Sequence, residues 1–146
     1  VVDFYGCMEF FTFDEEFKEL KIPKIVRKIA NGWLSDVTKG TGAKSVEEVW
    51  IGKNLDEMSQ DEIESYTVPY YARENLNSDT ELKVVILHGD ADITVPSLQS
   101  EHFAELIGEL LGEDKVSYRL FHNYGHAADG FYSEETIDWI LDQVEL

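Results

Sequence analysis

Lys83 to His88 reads Lys-Val-Val-Ile-Leu-His, apolar almost throughout and followed at once by Gly89 and a polar loop. A half-exposed strand would alternate apolar and polar residues. This run predicts instead a parallel strand covered on both faces. Parallel neighbours need a crossover, and the next stretch supplies one: Phe103, Leu106, Ile107, Leu110 and Leu111 share one helical face. Ser97 or Ser100 can cap its start, and Gly112 stands where a C-terminal cap belongs. Val116 to Phe121 then reads as a further strand. Ser133 can cap a last helix, with Glu134 and Glu135 in its first turn and Ile137, Ile140, Leu141 and Val144 turned toward the sheet. Strand, loop, helix, strand, loop, helix is the grammar of a doubly wound parallel α/β sheet.

The first half is organised differently. Val1 to Tyr5 is β-branched and aromatic, and Gly6 ends it, which predicts a short, buried, central strand. From Met8 to Thr80 the chain turns acidic and helical. Helices are expected near Phe13 to Leu20, Pro23 to Leu34, Val46 to Ile51 and Gln60 to Tyr66. Pro23 suits a first helical position, Ser45 with Glu48 and Ser59 with Glu62 form Ser-x-x-Glu capping boxes, and Ile25, Ile29 and Trp33 follow one face. Thr38 to Gly42 is a turn or linker. A chain that opens on Val1, without an initiator methionine and already inside a strand, carries the expectation that a segment upstream is missing.

Charge narrows the partners. The 146 residues include 30 acidic and 12 basic side chains, a formal net charge of -18, and such a surface repels phosphate backbones and anionic membranes. Nucleic acid and membrane are therefore not expected, and a small neutral substrate is favoured. No apolar run approaches the ~20 residues that cross a bilayer. Cys7 is the single cysteine, so neither an intramolecular disulfide nor a cysteine-rich metal site can form, in keeping with a reducing cytoplasm. The expected compartment is cytoplasmic, with secretion left open because of the odd start. Four scattered histidines without HExxH spacing imply no metal, and nothing implies a cofactor.

In open parallel sheets ligands bind beyond the carboxyl ends of the strands. The loops expected there are HGDADITVP, residues 88–96, and HNYGHAADG, residues 122–130. An imidazole suits proton transfer at neutral pH, and a carboxylate behind it fixes the tautomer and stabilises the imidazolium. Asp92 and His126 are the natural pair, with Gly125 allowing a tight backbone course beside the ring. Singly, a loop histidine is usually a surface residue and a loop aspartate a turn-former. Their placement after successive strands lifts them. Asp90 is the reserve acid, although a turn role suits it better. His88, ending an apolar strand, reads as a packed histidine, and His102 and His122 as surface. Tyr5, Trp33, Trp50, Tyr70 and Tyr71 either line a pocket or form the core of the helical stretch.

The motifs HGDADITVP and NYGHA resemble those of the α/β-hydrolase family, above all its esterase, lipase and prolyl-oligopeptidase-like branches. In those enzymes the penultimate strand ends in His-Gly-x-x-Asp-x-x-Val-Pro, whose last Asp is the triad acid and matches Asp92. A Gly-His pair follows the final strand and matches Gly125 and His126. The resemblance implies a core of residues 1–8 and 81–146, a helical cap or insertion over 9–80, and carboxylic-ester hydrolysis by a Ser-His-Asp triad without cofactor. It also implies a nucleophile in Gly-x-Ser-x-Gly on a strand-to-helix elbow. No glycine here has serine two places later, so the nine serines read as caps, turns and surface. The expectation is that this chain supplies Asp92 and His126, that the serine lies on a missing N-terminal half, and that the chain alone is inactive. Cys7 directly follows Gly6 and lacks the elbow spacing, which favours a buried thiol over a replacement nucleophile. The alternatives are a serine peptidase of the prolyl-oligopeptidase type and a non-catalytic module that self-associates as a homo-oligomer through its open sheet edge.

Overall fold

The computed structural model describes residues 1–30 and 38–144. Three parallel strands, β1 (Val2–Phe4), β2 (Val84–Gly89) and β3 (Val116–Phe121), form one sheet in the order β1-β2-β3. The register pairs Val2 with Val85 and Phe4 with Leu87 on one side of β2, and Val84 with Val116 and Gly89 with Phe121 on the other. All six residues of β2 are buried, as its apolar run requires. β1 departs from the expected central strand: β2 takes the centre, β1 lies at an edge among the described residues, and Val1 and Val2 are exposed.

Each face of the sheet carries its own apolar layer. Alternation along β2 sends Val84 and Ile86 to one side, where they meet Phe103, Leu106, Ile107 and Leu111 of the long helix Leu98–Leu111. Val85 and Leu87 go to the other, against Phe121, Phe131 and Ile140. Ile140 belongs to the last helix, Glu134–Val144, whose N-terminus is capped by Ser133 Oγ accepting from the Thr136 amide at 3.2 Å. That helix sits about one residue step from the expected orientation. Thr136 and Ile140 are buried, whereas Ile137 and Leu141 are exposed.

Among its described residues the intervening stretch forms five short helices, Phe13–Glu19, Lys24–Ala30, Val46–Ile51, Gln60–Glu64 and Val68–Asn75. Here these are α1 to α5, Leu98–Leu111 is α6 and Glu134–Val144 is α7. The far end of the expected helix to Leu34, with Trp33, lies outside the described residues. Ser45 and Ser59 cap α3 and α4 by accepting from the amides of Glu48 and Glu62. The return legs of the capping boxes go elsewhere: Glu48 accepts from the Lys44 and Leu55 amides, and Glu62 pairs with Lys53 at 2.5 Å. α5 was not anticipated in the sequence, although Thr67 caps it and Pro69 sits in its first turn.

Gln99 of α6 fastens this stretch to the sheet side. Buried to 2% exposure, it accepts from the amides of Met8 and Glu9 and donates to Glu9 O, Thr12 Oγ1 and Glu16 Oε2. A buried amide can be this enclosed because every one of its donors and acceptors is used.

Candidate active site

The two loops at the carboxyl ends of β2 and β3 are stitched together by main-chain bonds. Asp90 N donates to Phe121 O and Ala91 N to Tyr124 O, each at 3.0 Å. Gly89 is what allows that approach, because a Cβ at this position would strike the Tyr124 carbonyl. Gly125 has no such duty. A Cβ there would meet only Ala91 O, at 3.8 Å, and the left-handed turns of the second loop fall on Asn123 (φ 62°) and Ala127 (φ 55°) instead.

Asp92 and His126 meet across this seam. Asp92 Oδ2 accepts from His126 Nδ1 at 2.8 Å, while Oδ1 accepts from the amides of Thr94 at 2.8 Å and Val95 at 2.9 Å. A carboxylate can only accept, so the imidazole carries its proton on Nδ1 and turns Nε2 into the acceptor. The Asp92 side chain is fully enclosed, whereas 35% of the His126 side chain is exposed. Burial by itself pushes the Asp92 carboxyl up, but hydrogen bonds from His88, the Val95 amide, His126 and the Thr94 amide outweigh it and hold the group below the usual range. The result is an anion fixed on one side by backbone and presented to an imidazole whose second nitrogen has no hydrogen-bond partner among the described residues.

Tyr5, just beyond β1, packs its ring against this imidazole, with centroids 4.7 Å apart and planes at 60°. The Tyr5 and Tyr132 hydroxyls are hydrogen-bonded to each other. No family model matches the chain, and no curated protein matches it. What the site can do chemically therefore rests on its own geometry: hold a proton acceptor at Nε2 beside solvent, and stabilise the cation that forms there.

His88 supports the acid from below. It is wholly buried, with Nδ1 2.6 Å from Ser100 Oγ and Nε2 3.1 Å from Val95 O and 3.4 Å from Asp92 Oδ2. Since the Val95 carbonyl only accepts, Nε2 bears the proton and Nδ1 accepts from the Ser100 hydroxyl. The chain Ser100–His88–Asp92 has the residue types of a triad but no access to substrate, because Ser100 is 0% exposed. It is a buried brace. Sequence reasoning placed His88 as a packed residue and Ser100 as a candidate helix cap; the cap position falls to Ser97, whose side chain makes no capping bond, and Ser100 holds His88 instead.

The other candidates separate cleanly. Asp90 accepts from His122 Nδ1 and the Asn123 amide, both at 2.7 Å, and does not reach His126. The His122 hydrogen bond is the chief reason its carboxyl lies below the usual range. It serves as a turn residue between the loops. His102 lies 3.4 Å from Glu16 on the far side of α6. Burial first, then Glu47 and Glu16, push the Cys7 thiol up to about 12, the opposite of an activated nucleophile. Trp50, Tyr70 and Tyr71 are exposed, so of the described aromatic candidates Tyr5 alone reaches the pair. Hollows of about 440 and 510 Å³ are lined by residues 41–54 and by the acidic side of α6, away from Asp92 and His126. Among the described residues no group of three or more His, Cys, Asp or Glu could hold a metal ion, and no helix is long and apolar enough to cross a membrane.

Proposed function

We propose that Asp92 and His126 are the acid and base of a Ser-His-Asp hydrolase of the α/β-hydrolase kind, acting on carboxylic esters with a serine contributed from outside these 146 residues. The observation that carries this reading is the 2.8 Å bond from His126 Nδ1 to an Asp92 carboxylate already held by two backbone amides. In the reaction the serine oxygen attacks the ester carbonyl as His126 Nε2 takes its proton. Asp92 keeps the ring in the Nδ1–H tautomer and stabilises the imidazolium. His126 then returns the proton to the departing alkoxide, which leaves as the alcohol with the acyl group on serine. A water molecule, deprotonated by the same nitrogen, attacks the acyl-enzyme, and His126 reprotonates the serine as the acid is released.

The absence of a Gly-x-Ser-x-Gly serine and the burial of Ser100 both support an external nucleophile. A fluorophosphonate probe tests the assignment: it labels a longer protein that includes an upstream elbow serine and leaves this chain unlabelled. Labelling of this chain would overturn the external serine. Paired ester and proline-amide substrates on that longer protein separate an esterase from a prolyl-oligopeptidase-type peptidase.

A second reading draws on β1. Its outer edge is unpaired among the described residues, Val1 and Val2 are exposed, and Tyr132, Ile137 and Leu141 add exposed apolar surface. An open edge of this kind invites pairing with another copy. Sedimentation velocity decides it: a dimer supports self-association, and a monomer at high concentration removes it.

A further inference from the structure

A single hydrogen bond fixes one point of an imidazole and leaves the tilt of its plane free. His126 sits on a loop, a third of its side chain is in solvent, and among the described residues Asp92 Oδ2 is the one hydrogen-bond partner of its ring. The tilt must be set by something else, because a misaligned Nε2 cannot serve both an attacking and a leaving oxygen.

Tyr5 is built to set it. Its ring lies 4.7 Å from the imidazole centroid at a 60° interplanar angle, an edge-to-face contact. The tyrosine is itself locked. Its amide donates to Leu87 O at 2.7 Å, its ring packs 5.2 Å from the buried Phe131, and its hydroxyl is tied to Tyr132, which stacks on Phe4 at 5.8 Å. Tyr5 also adopts φ 46°, a conformation costly for an aromatic residue, at the point where β1 ends beside β2. Its hydroxyl is a poor proton carrier. The Tyr132 hydrogen bond first, then burial and the Asp92 charge, push it up to about 12. The ring is what remains to act.

We propose that Tyr5 is a positioning residue whose ring holds the His126 imidazole in line with Asp92. This deepens the acid–base reading of that pair and rests on it. The ring does not touch the reacting bond in this role; it limits the tilt of the base and shields the Nδ1–H bond from water.

The test uses nuclear magnetic resonance on this chain, following the exchange of the His126 Nδ1 proton, assigned by its loss in His126→Gln. Tyr5→Phe keeps the ring and its packing on Phe131, loses only the tie to Tyr132, and is expected to exchange far less fast than a ring-less variant. Tyr5→Leu is expected to speed exchange by roughly two- to tenfold, the range spanned by losing one aromatic pair. Should Tyr5→Leu not fold, Tyr5→Asn removes the ring with a residue at ease in left-handed backbone and carries the same expectation. Unchanged exchange in a folded ring-less variant, or acceleration as large in Tyr5→Phe, overturns the proposal. Asp92→Asn separates the two levels. If it leaves the Nδ1 proton signal intact, the acid–base pairing itself is wrong. If it abolishes the signal while loss of the Tyr5 ring changes nothing, only the positioning role fails.

Discussion

Asp92 Oδ2 lies 2.8 Å from His126 Nδ1, although the residues are 34 positions apart and sit on different loops. β2 and β3 bring them together because they are adjacent, parallel and in a register that aligns Gly89 with Phe121, so both loops leave the sheet at one level. The contact between Asp92 and His126 depends on that register.

Stability should depend on pH through Asp92. Its folded carboxyl lies below its ordinary value, so between the folded value and the unfolded one, ~3.9, the unfolded chain binds more protons. The stabilisation is complete above that unfolded value and is lost as pH falls through the folded one. Urea unfolding at neutral pH and in strong acid is expected to show Asp92→Asn destabilising in the first case and nearly neutral in the second. An equal difference at both would remove the linkage.

Ser100→Ala should destabilise the fold without touching any exposed surface. It strands the buried His88 Nδ1, and an unsatisfied buried acceptor costs about 1–3 kcal/mol. The exposed Ser78→Ala is the control, expected within about 0.5 kcal/mol of the parent. Equal midpoints for the two variants in urea would deny His88 its bracing role.

Gly89→Ala places a methyl group against the Tyr124 carbonyl, backbone that cannot swing aside. A loss on the order of 1–3 kcal/mol is expected from such overpacking. Because the same contact joins the two loops, the His126 signals should shift as well. A variant with parental stability and unshifted His126 resonances would show the loops to be independent.

Cys7 should be slow to alkylate. With its thiol pushed up to about 12 by burial, Glu47 and Glu16, almost none is thiolate at neutral pH. Iodoacetamide is expected to react with native chain much more slowly than with urea-unfolded chain, and the ester hydrolysis proposed for a longer protein with an elbow serine is expected to survive blocking. Rapid native alkylation together with lost activity would restore Cys7 as a nucleophile.

The second half was largely legible in the sequence because its signals were redundant. A short apolar run closed by Gly89 fits a covered strand, and the faces of α6 and the cap of α7 agreed with it. β1 was placed as a strand but not at an edge, since a three-residue strand holds no information about its neighbours. The turn of α7 was misjudged because Thr136, buried by its bonds to Ser133 and Gly130 O, occupies the inward place assigned to Ile137. At the site, Asp92 and His126 stood out by residue type and position. Ser100 and the Tyr5 ring did not, because a buried brace and a ring packed on a ring are properties of three-dimensional placement alone.

Turnover of an ester by the longer protein carrying His126→Ala is the most direct measurement. kcat is expected to fall by about 10⁴ or more with a much smaller change in KM, since the imidazole would act on the transition state rather than on binding. Near-parental kcat in that variant would contradict it.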